Sequence, residues 1–99
     1  MIITVRKTGG FAGIEESVVS LDTTNAPRKL KEKIEALLTS EKFHLLPEYV
    51  ESEAEGFDFF VYEIMVKDND KQHTVNFRDD GSEQSKHLLE FIDRLKEIG

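Results

Sequence analysis

One stretch constrains the fold more than any other: Phe57, Asp58, Phe59, Phe60, Val61, Tyr62, Glu63, Ile64, Met65, Val66 and Lys67. A β-strand sends successive side chains to opposite faces. Phe60, Tyr62, Ile64 and Val66 therefore share one face, and Phe59, Val61, Glu63 and Met65 the other. Both sets are largely apolar, so this strand belongs in the middle of a sheet with cover over part of its second face. Asp68, Asn69, Asp70 and Lys71 are turn formers, and beyond them His73, Val75 and Phe77 alternate with Thr74, Asn76 and Arg78. The spacing predicts a β-hairpin.

A second hairpin is expected near the start. Ile2, Ile3, Thr4 and Val5 are mostly β-branched and run through Arg6 and Lys7 into Gly9 and Gly10, as a strand entering a turn does. Residues 14–22 read as its partner, with Val18, Val19 and Leu21 as the apolar members. Val18 and Val19 are adjacent and in a regular strand point to opposite faces, so either could enter the core.

Asn25, Ala26 and Pro27 read as a helix start with Asn25 at the cap and the proline in the first turn. Leu30, Ile34, Leu37 and Leu38 then form one apolar stripe. The helix should fade near Lys42 and end before Pro47, which disfavours helical geometry in the preceding residue. Residues 48–58 carry Glu48, Glu51, Glu53, Glu55 and Asp58 with no basic residue and are expected to form an extended, flexible loop. Asp79, Asp80 and Gly81 break the last strand, Ser82 or Ser85 caps a second helix, and Leu88, Phe91, Ile92, Leu95 and Ile98 recur with helical period along it. Glu90 and Arg94 are spaced for an i,i+4 ion pair. The order β-β-α-β-β-α implies an α+β fold: a four-stranded, mostly antiparallel sheet with two helices packed on one face. At 99 residues the chain supports one core, so residues 1–99 form a single domain.

The chemistry is sparse. Twenty acidic against 13 basic side chains give a net charge of −7, which disfavours nucleic acid and anionic membranes as partners. No apolar run is long enough for a membrane span or a secretory leader, so a cytoplasmic location is expected. With no cysteine there is no disulfide, thiolate metal site or cysteine nucleophile. His44, His73 and His87 lack the three- or four-residue spacing that sets two ligands on one helical face. His73 shares a strand face with Val75 and Phe77, which suits a partly buried, hydrogen-bonded histidine. Asp79 and Asp80 lack the other ligands of a calcium loop, and Arg28, Lys29, Lys31 and Lys33 are diluted by Glu32 and Glu35. The expectation is a chain with no catalytic residues, no metal and no cofactor.

Gly9, Gly10 and Gly13 surround Phe11 and Ala12 in the connection of the first hairpin. Glycine opens backbone conformations closed to other residues. The block lacks the lysine and hydroxyl of a phosphate loop, and no helix comes directly after it. Two readings remain: Phe11 folds back over the open end of the core, or it projects as an anchor for a partner.

Val5 and Arg6, the block from Gly9 to Ile14 (GGFAGI), the stretch FHLLP ending at Pro47, Asp58 and Phe59 with Tyr62, Glu63 and Ile64, then His73, Thr74 and Val75, then Asp79, Asp80 and Gly81 together resemble the emfourin family. The likeness runs through nearly the whole chain, and GGFAGI is its most specific part. Strand two departs from it, with a longer run, SVVSLDT, that leaves the register after the loop open. The resemblance implies a non-enzymatic inhibitor of thermolysin- and protealysin-like (M4) zinc metalloproteases, acting as a monomer. Such proteases keep one zinc position open and favour a bulky apolar residue beside the scissile bond, so the implied site is the 9–14 loop: Gly9, Gly10, Phe11, Ala12, Gly13 and Ile14, with Phe11 in the pocket. Protease–inhibitor interfaces bury about 1,600 Å², so a second surface is needed. Asp79, Asp80 and Gly81, or the acidic 48–55 loop, could supply it. The competing reading is an interaction module on the same scaffold that inhibits no protease.

Overall fold

The computed structural model describes residues 1–9, 14–52 and 59–98, the side chain of Ile14 excepted. Four strands, β1 (Ile2–Gly9), β2 (Ile14–Asp22), β3 (Phe60–Asp68) and β4 (Lys71–Arg78), and two helices, α1 (Arg28–Ser40) and α2 (Glu83–Ile98), are arranged along the chain in the order β-β-α-β-β-α. The strands make one sheet in the spatial order β2-β1-β3-β4, every neighbouring pair antiparallel. The apolar two-faced strand β3 is central, and Asn69, at a φ of 53°, turns the β3–β4 hairpin.

Ile3 and Val5 of β1, Val19 of β2, Tyr62 and Ile64 of β3, and Val75 and Phe77 of β4 are buried together with Ile34 of α1, Phe43, and Leu88, Phe91, Ile92 and Leu95 of α2. This single core lies between the helices and one face of the sheet, as the apolar stripes of the two helices require. On the opposite face Ile2 remains 40% exposed, and Arg6 pairs with Glu15.

The adjacent valines are accommodated by an irregularity rather than by a choice between them. The β1–β2 register shifts between Val5, paired with Val19, and Arg6, paired with Ser17, so Val18 is an extra residue. A β-bulge of this kind lets two neighbouring residues lean the same way: Val19 is buried and Val18, half-buried, packs against the same core.

Three local expectations are corrected. Helix α1 begins at Arg28 with Pro27 at the cap position and no side-chain cap, so Asn25 does not cap it; instead the carbonyl of Pro27 accepts from the amides of Leu30 and Lys31. Arg94 reaches across to Glu41 at 3.6 Å rather than pairing with Glu90. Residues 48–50 form an ordered extension of the sheet rather than a loose loop. Tyr49 bridges to Asn76 in parallel sense, with Asn76 N–H donating to the Glu48 carbonyl at 2.7 Å and Val50 N–H to the Asn76 carbonyl at 2.9 Å.

The stop between α1 and this extension is built as Pro47 requires. Lys42 turns the chain with a φ of 49°, and a single 3-10 turn, Phe43–Leu45, comes next. Phe43 is driven into the core, 5.8 Å from the Phe91 ring and edge-on to His73 at 5.4 Å. His73 Nε2 donates to the Leu46 carbonyl at 2.8 Å, which satisfies a partly buried imidazole. At the start of α2, Ser82 is the capping residue: its hydroxyl accepts from the Ser85 amide at 3.2 Å.

Candidate functional site

Of the loop residues proposed from the sequence, Gly10, Phe11, Ala12 and Gly13 lie outside the described residues, as do residues 53–58 of the acidic stretch. The loop's two stems are described. Gly9 and Ile14 form the last antiparallel pair of β1 and β2, so four residues connect them. Gly9 has a φ of 96°, and a side chain there would put its Cβ 2.9 Å from the Phe59 carbonyl oxygen. Both the conformation and the close approach demand glycine.

Register fixes what else shares this end of the sheet. Gly9 pairs with Phe60 at the start of β3, and Val61 pairs with Arg78 at the end of β4. The Asp79 amide then donates to the Phe60 carbonyl at 2.9 Å. Asp79, Asp80 and Gly81 therefore stand at the same end as the 9–14 loop. The extension at residues 48–50 runs parallel to β4 and so climbs toward this end too. It arrives with the Ser52 hydroxyl donating to Asp80 Oδ2 at 2.6 Å. The 79–81 turn and the described part of the acidic loop, through Ser52, thus converge with the loop stems.

Asp80 is the joint of this arrangement. Hydrogen bonds from the Ser52 hydroxyl, then from Ser82, hold its carboxyl down to about 2 from the ordinary 3.8, because each donor favours the charged form. The Ser82 amide donates to Oδ1 at 2.9 Å. Gly81, at a φ of 78°, lets the chain turn directly into α2.

Two further residues belong to this end. Lys7 places its Nζ 4.0 Å from the centre of the Phe60 ring and 5.8 Å from that of Tyr62, a cation–π contact. Tyr62 in turn stacks on Phe77 at 5.2 Å. Lys7 and Ser52 are not among the site residues expected from the sequence. Alternation from Ile3 and Val5 already put Lys7 on the core-facing side, where a lysine needs a reason. Ser52 left no such signal, since its partner is 28 residues away.

The opposite end carries different features. A cleft of about 310 Å³ opens between the end of α1 and the β3–β4 hairpin, with Leu38, Phe43 and Val66 among its lining and His44, His73 and Lys71 at its polar parts. Among the described residues no three His, Asp or Glu side chains gather in a way that could hold a metal ion. No helix there is long and apolar enough to cross a membrane.

A family model, Emfourin, matches residues 5–96, from the middle of β1 almost to the end of α2. The chain belongs to the Emfourin family. Membership suggests a protease inhibitor, with a protease as partner and no enzymatic activity of its own. No curated protein and no solved structure matches the chain. The Emfourin match covers both stems of the 9–14 loop, the acidic stretch and the 79–81 turn, so every segment gathered at this end of the sheet lies inside the family region.

Proposed function

We propose that this Emfourin-family chain inhibits thermolysin- and protealysin-like (M4) zinc metalloproteases by seating the 9–14 loop in the active-site cleft. The observation that carries this reading is the convergence, at one end of the sheet, of the Gly9 and Ile14 stems, the 79–81 turn and the segment ending at Ser52. A loop held at both ends by paired strands loses little conformational entropy on docking. Its neighbours supply the wider contact that one loop cannot give, since such interfaces bury about 1,600 Å² in total.

In this mechanism Phe11 fills the apolar pocket next to the protease's zinc, and the glycines let the backbone lie close to the enzyme. Resistance to cleavage results if no loop carbonyl is presented to the metal in the orientation attack requires. Inhibition of this kind uses rigidity and shape, and no reacting group on the inhibitor. A monomer in the cytoplasm suits the role of guarding against misplaced protease activity.

The experiment is direct. Purified protein is incubated with thermolysin or a protealysin-like enzyme, and residual peptidase activity is measured against inhibitor concentration. Stoichiometric loss of activity is expected. Full activity at micromolar protein would instead favour an interaction module with another partner.

A further inference from the structure

The two edges of the sheet are treated differently. Along β4 the edge is occupied: Glu48 and Val50 hydrogen-bond to Asn76 from outside the sheet, and the Asn76 side chain adds a bond to the Glu48 carbonyl at 3.1 Å. Along β2 no described residue pairs on the outer side, and Glu15, Glu16 and Ser17 are exposed. An open edge offers unpaired N–H and C=O groups to any extended chain. Here it is interrupted at Val18, where the bulge breaks the register and divides the straight backbone into two short runs, residues 14–17 and residues 19–22. The first of these runs leads directly out of the 9–14 loop.

We infer that the outer edge of β2 over residues 14–17 receives an extended strand of the protease that the loop enters, so that the partner's backbone continues this sheet by one strand. The inference rests on the inhibitor reading above. Three observations favour that occupant. The free edge begins where the loop ends, so a cleft that takes the loop brings its own wall alongside. The bulge limits the straight run beside the loop to four residues, enough for a short strand addition there, while preventing the whole of β2 from templating aggregation. A second copy of this chain is disfavoured, because pairing β2 with itself would bring two chains of charge −7 together with the Glu16 carboxylates near the seam, Glu15 being paired with Arg6. Backbone bonds supply affinity in such strand addition without demanding a particular sequence.

In an antiparallel pair, successive residues alternate between bonding to the neighbour and pointing away. Of Glu15 and Glu16, therefore, one amide faces β1 and the other faces outward. Proline at the outward position removes only the free donor, and edge strands tolerate it there. Glu15→Pro and Glu16→Pro are each compared with wild type for melting temperature and for inhibition of thermolysin. The variant that keeps its fold is expected to inhibit at least tenfold more weakly. Amide hydrogen exchange of the wild-type protein, free and in complex with thermolysin, covers the case in which both variants unfold. The outward amide should exchange freely in the unbound protein and slow at least a hundredfold in the complex. A folded proline variant that inhibits within twofold of wild type, or an outward amide that exchanges equally fast in the complex, overturns the inference while leaving the inhibitor reading intact. Wild-type protein that neither binds nor inhibits thermolysin sinks both.

Discussion

The Ser52 hydroxyl donates to Asp80 Oδ2 at 2.6 Å, joining the end of the β4-edge extension to the turn that opens α2. This bond turns two chain segments, 28 residues apart, into one surface beside the 9–14 loop. Because Asp80 is held near 2, the sign of its linkage is set: a carboxylate depressed in the folded state contributes stability above its unfolded pKa and loses it as pH falls through the folded value. Asp80→Asn should therefore melt below wild type at pH 7, with the gap closing between pH 4 and pH 2. Melting temperatures by circular dichroism at pH 7, 4, 3 and 2 check this. A gap that does not change with pH would mean that Asp80 acts through packing instead.

Gly9→Ala tests the stem of the loop. Alanine at a φ of 96° is strained, and its Cβ would press on a backbone carbonyl that cannot swing aside. A cost of about 1–3 kcal/mol is expected for holding a non-glycine residue in such a region, or a fall in melting temperature of roughly 4–8 °C per kcal/mol for a domain this size. Gly81→Ala offers the comparison, since its φ of 78° is also left-handed but nothing lies within 4 Å of the added Cβ. The penalty at Gly9 should exceed that at Gly81.

Phe43 marks the other end of the molecule. It is 3% exposed and packs between Phe91 and His73. Phe43→Ala should destabilise by about 3–5 kcal/mol through lost burial and the cavity left behind. Denaturant unfolding measures this. Below the melting transition the folded fraction should inhibit as wild type does, because the loop stems, Gly9 and Ile14, stand at the opposite end of the sheet.

Much of this architecture was legible in the alternation of apolar residues. The two-faced run from Phe60 to Val66 announced a central strand, and the helical stripes through Ile34 and Phe91 placed the helices on one face. What escaped depends on partners distant in sequence. The Val18 bulge is visible only once β1 supplies a register to shift against. Residues 48–50 show no apolar alternation because they are held by backbone bonds to Asn76. Arg94 had a well-spaced Glu90 within its own helix, yet Glu41, brought in at the end of α1, also draws His87 and is the partner it reaches. The candidate site obeyed the same rule: GGFAGI stood out locally, whereas its shared end of the sheet with Asp80 depends on the pairing of Gly9 with Phe60 and of Val61 with Arg78.

Phe11 decides between the two roles left open by its sequence context. As the anchor of a docked loop it would be a hot-spot side chain, and such residues cost about 2 kcal/mol or more when truncated. Phe11→Ala should then weaken inhibition by about 30-fold or more, since each 1.4 kcal/mol is a factor of ten. Its melting temperature should then stay close to wild type, because a side chain that projects to a partner contributes nothing to the core. If Phe11 instead covers the open end of that core, near Lys7, Phe60 and Tyr62, the outcome reverses: the variant melts lower and inhibits undiminished. Inhibition titrations and thermal melts on one preparation separate the two. Replacing Phe11 by Leu refines the answer, since an apolar pocket keeps much of its affinity for leucine while a polar or shallow contact gains nothing from it.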